Sequence, residues 1–242
     1  MDKSEDQTDT SGTSAARLSM AAENYLLSIF RLDEQGTRVT LTILAEHLKT
    51  LPVDEGLGTS LPSVGGMIRR MVREGLVDTT ANKDLVLTSQ GRSSAESIVR
   101  RHRLAERLVV DLLGLELHMA HVEAHRLEHA ISPILEAKIV KALGNPTTCP
   151  FGHPIPGSGY TSDQPSRPLD KSEVGEHLVI HSIPEDDQAL LKYLVDNHLV
   201  PGQPVAVKDA AVTRGVITLQ CDGRDVVFSY DVAAKIRVRP PE

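Results

Sequence analysis

The chain has 242 residues, 40% of them hydrophobic and 24% charged, a composition typical of a soluble protein with one to three domains. No apolar run approaches the roughly 18–20 residues that span a bilayer, and the first residues lack a signal-peptide pattern. Two cysteines, Cys149 and Cys221, are too few for a disulfide framework or a four-cysteine zinc site. We therefore expect a cytoplasmic protein with no membrane partner.

The net charge of −7 argues against a nucleic-acid partner, but the charge is unevenly distributed. Between Pro62 and Arg103 there are eight Lys and Arg residues against four acidic ones, whereas the remainder carries 18 basic and 29 acidic residues. Aromatic residues make up only 3%, which disfavours base stacking as a binding mode. A basic segment inside an acidic chain indicates a localised contact with nucleic acid.

Residues 1–17 are polar and small, and they predict a disordered tail. Apolar residues at helical spacing then predict a helix that ends at Gly36, a short second helix and a third that starts at Pro62. A loop of residues 51–60 separates the second helix from the third. A hairpin around residues 77–87 follows. Three helices and a hairpin predict a winged helix-turn-helix DNA-binding domain over residues 18–91.

One polar and four basic residues of this domain are candidate DNA contacts. They are Ser63, Arg69, Arg70 and Arg73 on or near the third helix and Lys83 at the hairpin tip. Guanidinium groups bind phosphates and guanine edges, and an ammonium at a wing tip suits a phosphate. The alternative is that these arginines only solvate a helix face.

Two consecutive glycines, Gly65 and Gly66, lie in the third predicted helix, where each costs about 1 kcal/mol relative to Ala. One interpretation is that the helix backbone approaches DNA closely. The other is that the helix starts later than Pro62.

The segment H-V-E-A-H-R-L-E-H at residues 121–129 carries the clearest chemical signal. On a helix, four of its donors fall within an arc of roughly 100°: His121, His125, Glu128 and His129. Upstream, His102 and Glu106 have i, i+4 spacing, so two packed helices would join six ligands. Imidazole and carboxylate without thiolate suit Mn(II), Fe(II), Co(II), Ni(II) or Zn(II).

Other classes of protein could use such a cluster. An isolated His pair is usually a surface accident. A metallohydrolase would need an open coordination position and a cleft, and the sequence has neither a Gly-rich phosphate loop nor a Ser-His-Asp pattern. A metal-storage protein would need neither the winged hairpin nor the basic segment. We therefore expect a regulator, not an enzyme, and no small organic substrate.

The rest of the chain divides into three segments that differ in composition and apolar pattern. Helices are predicted over residues 92–150, a Pro- and Gly-rich linker over 151–171, and five short strands over 172–242, which suggest a small closed barrel. The expected fold is mainly α with this small β-barrel.

Four motifs give the chain a specific resemblance. They are A-E-N-Y-L at 22–26, R-H-R-L-A-E-R-L at 101–108, H-V-E-A-H-R-L-E-H-A-I-S at 121–132 and G-N-P-T-T-C-P-F-G-H-P-I-P at 144–156. From about residue 18 onward the chain resembles the diphtheria toxin repressor family of iron- and manganese-sensing regulators. The resemblance implies a Src-homology-3-like C-terminal barrel, a helical dimerisation domain and a homodimer that binds a palindromic operator when loaded with metal, as a repressor of metal-uptake genes.

The resemblance also implies two metal sites in each subunit. An ancillary site would use His102, Glu106 and His121, completed by Glu185 and Gln188. A primary, regulatory site would use Asn24, His125, Glu128 and His129. Metal in the regulatory site would tie the first helix to the dimer core and so fix the winged domain.

The sequence departs from this family at three places. His125 and Asn24 stand where iron sensors carry Cys and Met, and manganese sensors tend to carry Glu and Asp. This thiol-free pair leans toward Mn(II) over Fe(II), although imidazole also accepts Zn(II). The loop of residues 51–60 is long, and Gly65 and Gly66 replace polar base-contacting residues, which shifts readout toward phosphates and DNA shape. Cys149, His153 and Cys221 are expected to be structural.

Overall fold

The structure is a computed structural model that describes residues 18–51, 57–162 and 164–241. The predicted tail at 1–17 and the middle of the predicted loop at 51–60 lie outside these residues. Among the described helices, none combines the length and the apolar character needed to cross a membrane.

The first unit contains the predicted three helices and hairpin in the predicted order. Its elements are α1 (Met20–Glu34), α2 (Leu41–Leu48), α3 (Leu61–Arg73), β1 (Val77–Thr79) and β2 (Leu85–Leu87). Each helix begins after a residue whose hydroxyl accepts a hydrogen bond from a first-turn amide: Ser19, Thr40 and Ser60. The strands pair antiparallel, with Val77 opposite Leu87. A shared apolar core, including Leu26, Leu44 and Met71, holds the unit together.

Helix α3 begins at Leu61, so Gly65 and Gly66 lie inside it and the interpretation of a later start is wrong. Gly65 is buried, whereas Gly66 is only partly covered. A Cβ added at Gly66 would meet only the far end of Arg69, at 3.9 Å.

Three further helices form the middle of the chain: α4 (Ser89–Arg107), α5 (Ala120–Glu128) and α6 (Pro133–Ala142). The end of α4 widens into a π-helical turn at Leu108–Leu112. Apolar side chains of α4, α5 and α6, among them Leu104, Ala124 and Ile139, pack into one cluster. Helix α4 also packs along α1, so it connects the winged unit with the rest of the chain.

The segment after α6 is closely packed where the sequence predicts a linker. Cys149, Phe151 and Ile155 are almost fully buried. Gly152 has a φ of 90°, and a Cβ there would lie 2.1 Å from the carbonyl oxygen of His181. Buried Arg103 donates to the carbonyl oxygen of Pro154 and to Glu34. This segment therefore fastens the C-terminal region to α1 and α4.

The C-terminal region is a six-stranded antiparallel sheet. Its strands are β3 (Arg167–Pro168), β4 (His177–Ser182), β5 (Pro204–Ala211), β6 (Val216–Cys221), β7 (Arg224–Ser229) and β8 (Arg237–Arg239). The spatial order β3-β8-β4-β5-β6-β7 leaves β3 and β7 as edges. The five predicted strands are present, but the closed barrel is not confirmed, because the described edge strands do not pair with each other.

Two helices accompany this sheet, α7 (Gln188–Asp196) and α8 (Tyr230–Ala233). Helix α7 was not predicted. Its buried residues Leu191 and Leu194 pack into the apolar core of the sheet. The loop between β4 and α7 carries Glu185 and Asp186 toward α1.

Gly91, in the first turn of α4, is a site where a side chain cannot fit. A Cβ there would lie 1.8 Å from the carbonyl oxygen of Leu76, a backbone atom. We expect Gly91→Ala to lower the free energy of unfolding by about 1–3 kcal/mol, as overpacking does. The matched variant Gly66→Ala should raise it by about 0.5–1 kcal/mol, because Ala favours the helix and finds space. Urea unfolding of chelator-stripped protein measures both, and equal effects would contradict the packing argument.

Candidate metal centre

Helices α4 and α5 bring together the six donors that the sequence singles out. His102 and Glu106 lie one turn apart on α4, and the α5 donors face them across the helix pair. All six side chains are at least 93% buried: His102, Glu106, His121, His125, Glu128 and His129. Polar groups at this depth in a core need specific partners.

One group of donors matches most of the predicted ancillary set. The Nε2 atom of His102 lies 2.9 Å from Oε1 of Glu106 and 3.1 Å from Nδ1 of His121. Glu185 reaches the same place from the loop before α7. One donor atom from each of these four residues lies within 4.8 Å of all the others.

The predicted regulatory set is also brought together. His129 Nε2 lies 3.0 Å from Oδ1 of Asn24 on α1 and 3.3 Å from Oε1 of Glu128. That same oxygen lies 3.4 Å from Nδ1 of His125. These contacts join the first helix of the winged unit to α5.

His102 links the two groups. Its Nδ1 atom lies 2.5 Å from Oε2 of Glu128, while its Nε2 atom faces Glu106 and His121. The two donor groups are therefore neighbours in one continuous buried cluster.

Burial sets the protonation of these groups. It lowers the pKa of His102, lowers that of His121 well below its ordinary value, and lowers that of His125 to about 3. At neutral pH the three imidazoles are uncharged, which is the form that binds metal ions. Burial also raises the pKa of Glu106 to about 7, and among the described residues its buried Oε2 atom has no hydrogen-bond partner. Neutral imidazoles beside a partly satisfied carboxylate fit a divalent cation.

Arg31 of α1 is a part of this centre that the sequence analysis missed. Its buried guanidinium lies 2.7 Å from Oε1 of Glu185, pairs with Asp186 and approaches Nε2 of His121 to 3.3 Å. Burial alone would lower the pKa of Arg31, but Asp186 and Glu185 outweigh it, so the pKa rises. Arg31 therefore stays charged and connects the winged unit to the C-terminal region.

Glu23 is a second missed residue. Its Oε2 atom lies 2.7 Å from Nδ1 of His129, and its Oε1 atom accepts a hydrogen bond from Arg101 at 2.7 Å. A carboxylate in this position fixes the ring orientation of a metal-binding histidine. The sequence feature that could have identified Glu23 is its position next to Asn24 on α1.

Cys149 and His153 lie at the border of the cluster. The Sγ atom of Cys149 is 4.0 Å from Oε2 of Glu185, and Nε2 of His153 is 3.7 Å from the same oxygen. Burial raises the pKa of Cys149 well above its ordinary value, so the thiol is protonated. Both side chains help to hold the loop that carries Glu185.

The structure does not bring Gln188 to the cluster. This residue is exposed at the start of α7, and its amide lies 2.9 Å from Sδ of Met119. Asp186 lies closer, with Oδ1 at 3.9 Å from Nε2 of His121. The helical start at Gln188 turns that side chain away from the donors.

The candidate DNA contacts all lie on the surface of the winged unit. Ser63, Arg69, Arg70, Arg73 and Lys83 are exposed. Arg70 forms an ion pair with Glu74 on its own helix at 2.7 Å. Lys83 adopts a φ of 64° in the turn of the hairpin, which places it at the tip of the wing.

Comparisons with known proteins match these features. Residues 88–157 match the family model "Iron dependent repressor, metal binding and dimerisation domain", and residues 167–240 match the FeoA domain. The iron-dependent repressor IdeR of Mycobacterium leprae is 33% identical over 229 residues, which cover 89% of this chain and 95% of that protein. The diphtheria toxin repressor of Corynebacterium glutamicum is 32% identical over 231 residues, covering 91% and 96%.

Solved structures of metal-dependent regulators are also similar to this chain. A manganese-dependent transcriptional repressor in complex with manganese has a TM-score of 0.80 and 31% identity, over 91% of this chain and 100% of that one. The manganese regulator SloR has a TM-score of 0.76 and 26% identity, over 93% and 100%.

A winged helical unit fastened to a buried nitrogen and oxygen cluster defines a metal-dependent transcriptional regulator. The chain belongs to the diphtheria toxin repressor family of iron- and manganese-dependent repressors. These relatives are repressors, so the metallohydrolase and metal-storage alternatives are not supported.

Arg31 provides a test of what holds the centre in place. We expect Arg31→Met to lower the free energy of unfolding of metal-free protein by about 3 kcal/mol or more, because Glu185 and Asp186 lose their buried counter-charge. The control Arg38→Met removes an exposed ion pair with Asp84 and should cost no more than about 1 kcal/mol. If the two variants lose equal free energy of unfolding in urea, the buried ion pairs of Arg31 stabilise the fold no more than an exposed ion pair does.

Proposed function

We propose that this protein is a Mn(II)- or Fe(II)-activated repressor that binds a palindromic operator as a dimer and controls metal-uptake genes in the cytoplasm. The observation that carries the proposal is the contact of His129, the C-cap residue of α5, with Asn24 on α1. A ligand set shared between these two helices connects metal occupancy with the position of the winged unit.

The proposed regulatory site consists of Asn24, His125, Glu128 and His129. The divalent cation supplies, when bound, a common centre for the lone pairs of residues on two different helices. Asn24 and His129 then hold α1 against α5, and Glu23 orients the ring of His129. With α1 held, the two recognition helices α3 of a dimer keep the spacing of one helical turn of DNA, or a multiple.

The proposed ancillary site consists of His102, Glu106, His121 and Glu185. Its two imidazoles and two carboxylates suit a hard or borderline cation. The predicted fifth ligand, Gln188, would have to move from its exposed position to take part.

The donor chemistry favours Mn(II) or Fe(II) as the signal, and Zn(II) can substitute. The proposed regulatory set of Asn24, His125, Glu128 and His129 contains no sulfur. Oxygen and imidazole donors suit Mn(II), while the two imidazoles of His125 and His129 also accept Fe(II) and Zn(II).

The dimer is proposed to form through the helical region that the family model describes as metal-binding and dimerising. Large apolar side chains are exposed there: Leu112, Leu113, Ile134 and Leu135. Exposed apolar groups of this size favour burial against a second copy. Ile131 is not one of them, because it is buried within its own chain.

His129→Ala tests the regulatory site. We expect this variant to lose the metal-dependent gain in operator affinity, because α1 is no longer tied to α5. The control His177→Ala changes an exposed histidine on β4 and should keep the gain. Fluorescence anisotropy with promoter DNA at fixed salt, in the presence and absence of Mn(II) or Fe(II), measures both. Full metal-dependent affinity in the His129→Ala variant would refute the assignment.

Lys83→Ala tests the wing. A lost phosphate contact should weaken binding equally to all DNA sequences and lower the salt slope of the affinity by about 1. The control Lys171→Ala removes an exposed lysine that pairs with Asp170, far along the chain, and should leave the slope unchanged. If Lys83→Ala leaves the salt dependence of the affinity unchanged, Lys83 at the tip of the wing does not contact the DNA.

A further inference from the structure

Three imidazoles meet at the centre of the buried cluster. The ring centroids of His102, His121 and His125 are 4.7–4.9 Å apart in all three pairs. One donor nitrogen from each ring lies within 4.8 Å of the other two. Two of these residues belong to the proposed ancillary set and one to the proposed regulatory set, so the trio is a distinct grouping.

We infer that His102, His121 and His125 form a nitrogen-rich metal site of their own, which takes a borderline cation such as Zn(II) in preference to Mn(II). Three histidines are a common protein ligand set for zinc. Affinity for nitrogen donors rises strongly from Mn(II) to Zn(II), so each added imidazole shifts selectivity toward zinc.

The partner of His102 prepares this site. Oε2 of Glu128 lies 2.5 Å from Nδ1 of His102, so the carboxylate accepts the Nδ1–H and leaves the lone pair of Nε2 facing His121. A carboxylate behind a metal-binding histidine fixes its tautomer and raises its basicity.

Arg31 disfavours the competing oxygen-rich set. That set shares His102 and His121 but needs Glu185, which Arg31 already holds at 2.7 Å. A cation that takes Glu185 must break this buried ion pair. A cation on the three imidazoles leaves the ion pair intact and faces Arg31 only through His121, whose Nε2 atom lies 3.3 Å from the guanidinium. In the fold as it stands, the nitrogen-rich set is therefore the more accessible one.

This site has a consequence that rests on the proposed function. His125 also belongs to the proposed regulatory set, so a Zn(II) ion held by the three imidazoles withdraws one ligand from the set that holds α1. Zinc then weakens activation by manganese at the same protein, and the chain distinguishes the two metals by which donors they recruit.

The direct test uses the chelator-stripped full chain loaded with one equivalent of Zn(II). X-ray absorption at the zinc edge counts the imidazole ligands. We expect three. The proposed ancillary and regulatory sets each contain two histidines, so a spectrum with two imidazoles and carboxylate oxygens would overturn the inference. No DNA is present, so failure here is separate from failure of the proposed function, which anisotropy decides.

Two variants provide an independent measurement. His125→Gln should weaken Zn(II) binding at least about tenfold in competition with a chromophoric chelator, because a ligand is lost. The control His177→Gln makes the same change at an exposed histidine of β4, outside the cluster, and should bind Zn(II) as the parent protein does. Equal Zn(II) affinities of the two variants would overturn the proposal. Circular dichroism checks that both variants fold, and the spectrum of the unaltered chain does not depend on either.

Discussion

The buried ion pair between Arg31 and the loop of Glu185 and Asp186 is the interaction on which the arrangement of the chain depends. Acidic groups at this depth are strongly disfavoured without a counter-charge. Arg31 supplies that charge from α1, so the first helix, the metal-binding helices and the C-terminal sheet meet at one point. A guanidinium is suited to this role because it remains charged when buried and offers several donors to several acceptors.

The donor groups form a connected system, because His102 contacts Glu106 and His121 through one ring nitrogen and Glu128 through the other. A change in the ring of His102 is therefore felt by both proposed sites. Any effect of occupancy at one proposed site on affinity at the other is the same factor in both directions. The ring of His125 adds to this connection, since it also contacts His102 and His121.

The parts of the molecule that depend on local spacing could be predicted from the sequence. The i, i+3 and i, i+4 pattern of His121, His125 and Glu128 places them on one face of α5. The capping residues and glycines likewise mark the helices of the winged unit. Arg31 could not be found in this way, because it acts through Glu185 and Asp186, which are far away in the chain. Local pattern contains no record of such contacts.

The C-terminal region differs from the prediction in two ways: helix α7 was not predicted, and the closed barrel is not confirmed. Helix α7 was hidden because its neighbours are short strands, and its apolar face is covered by the sheet rather than by another helix. Sheet closure depends on whether β3 and β7 meet, and the two residues of β3 are too few to show a strand pattern in the sequence. The exposed position of Gln188 follows from its place in the first turn of α7, so its predicted role as a ligand depends on the helix that the sequence did not reveal.

The packed segment that contains Gly152 determines where this protein can be recombined with its relatives. The backbone of Gly152 touches that of His181, and Cys149 and His153 contact the loop of Glu185. A chimera joined near residue 150 would place the segment of one protein against the β4 strand and Glu185 loop of another, and the two surfaces would not match. Thr161 and Pro165 are exposed, and a junction there would transfer the segment together with the helices that it fits. In a chimera, the winged unit and the metal-binding helices should therefore be transferred together with the segment that follows α6.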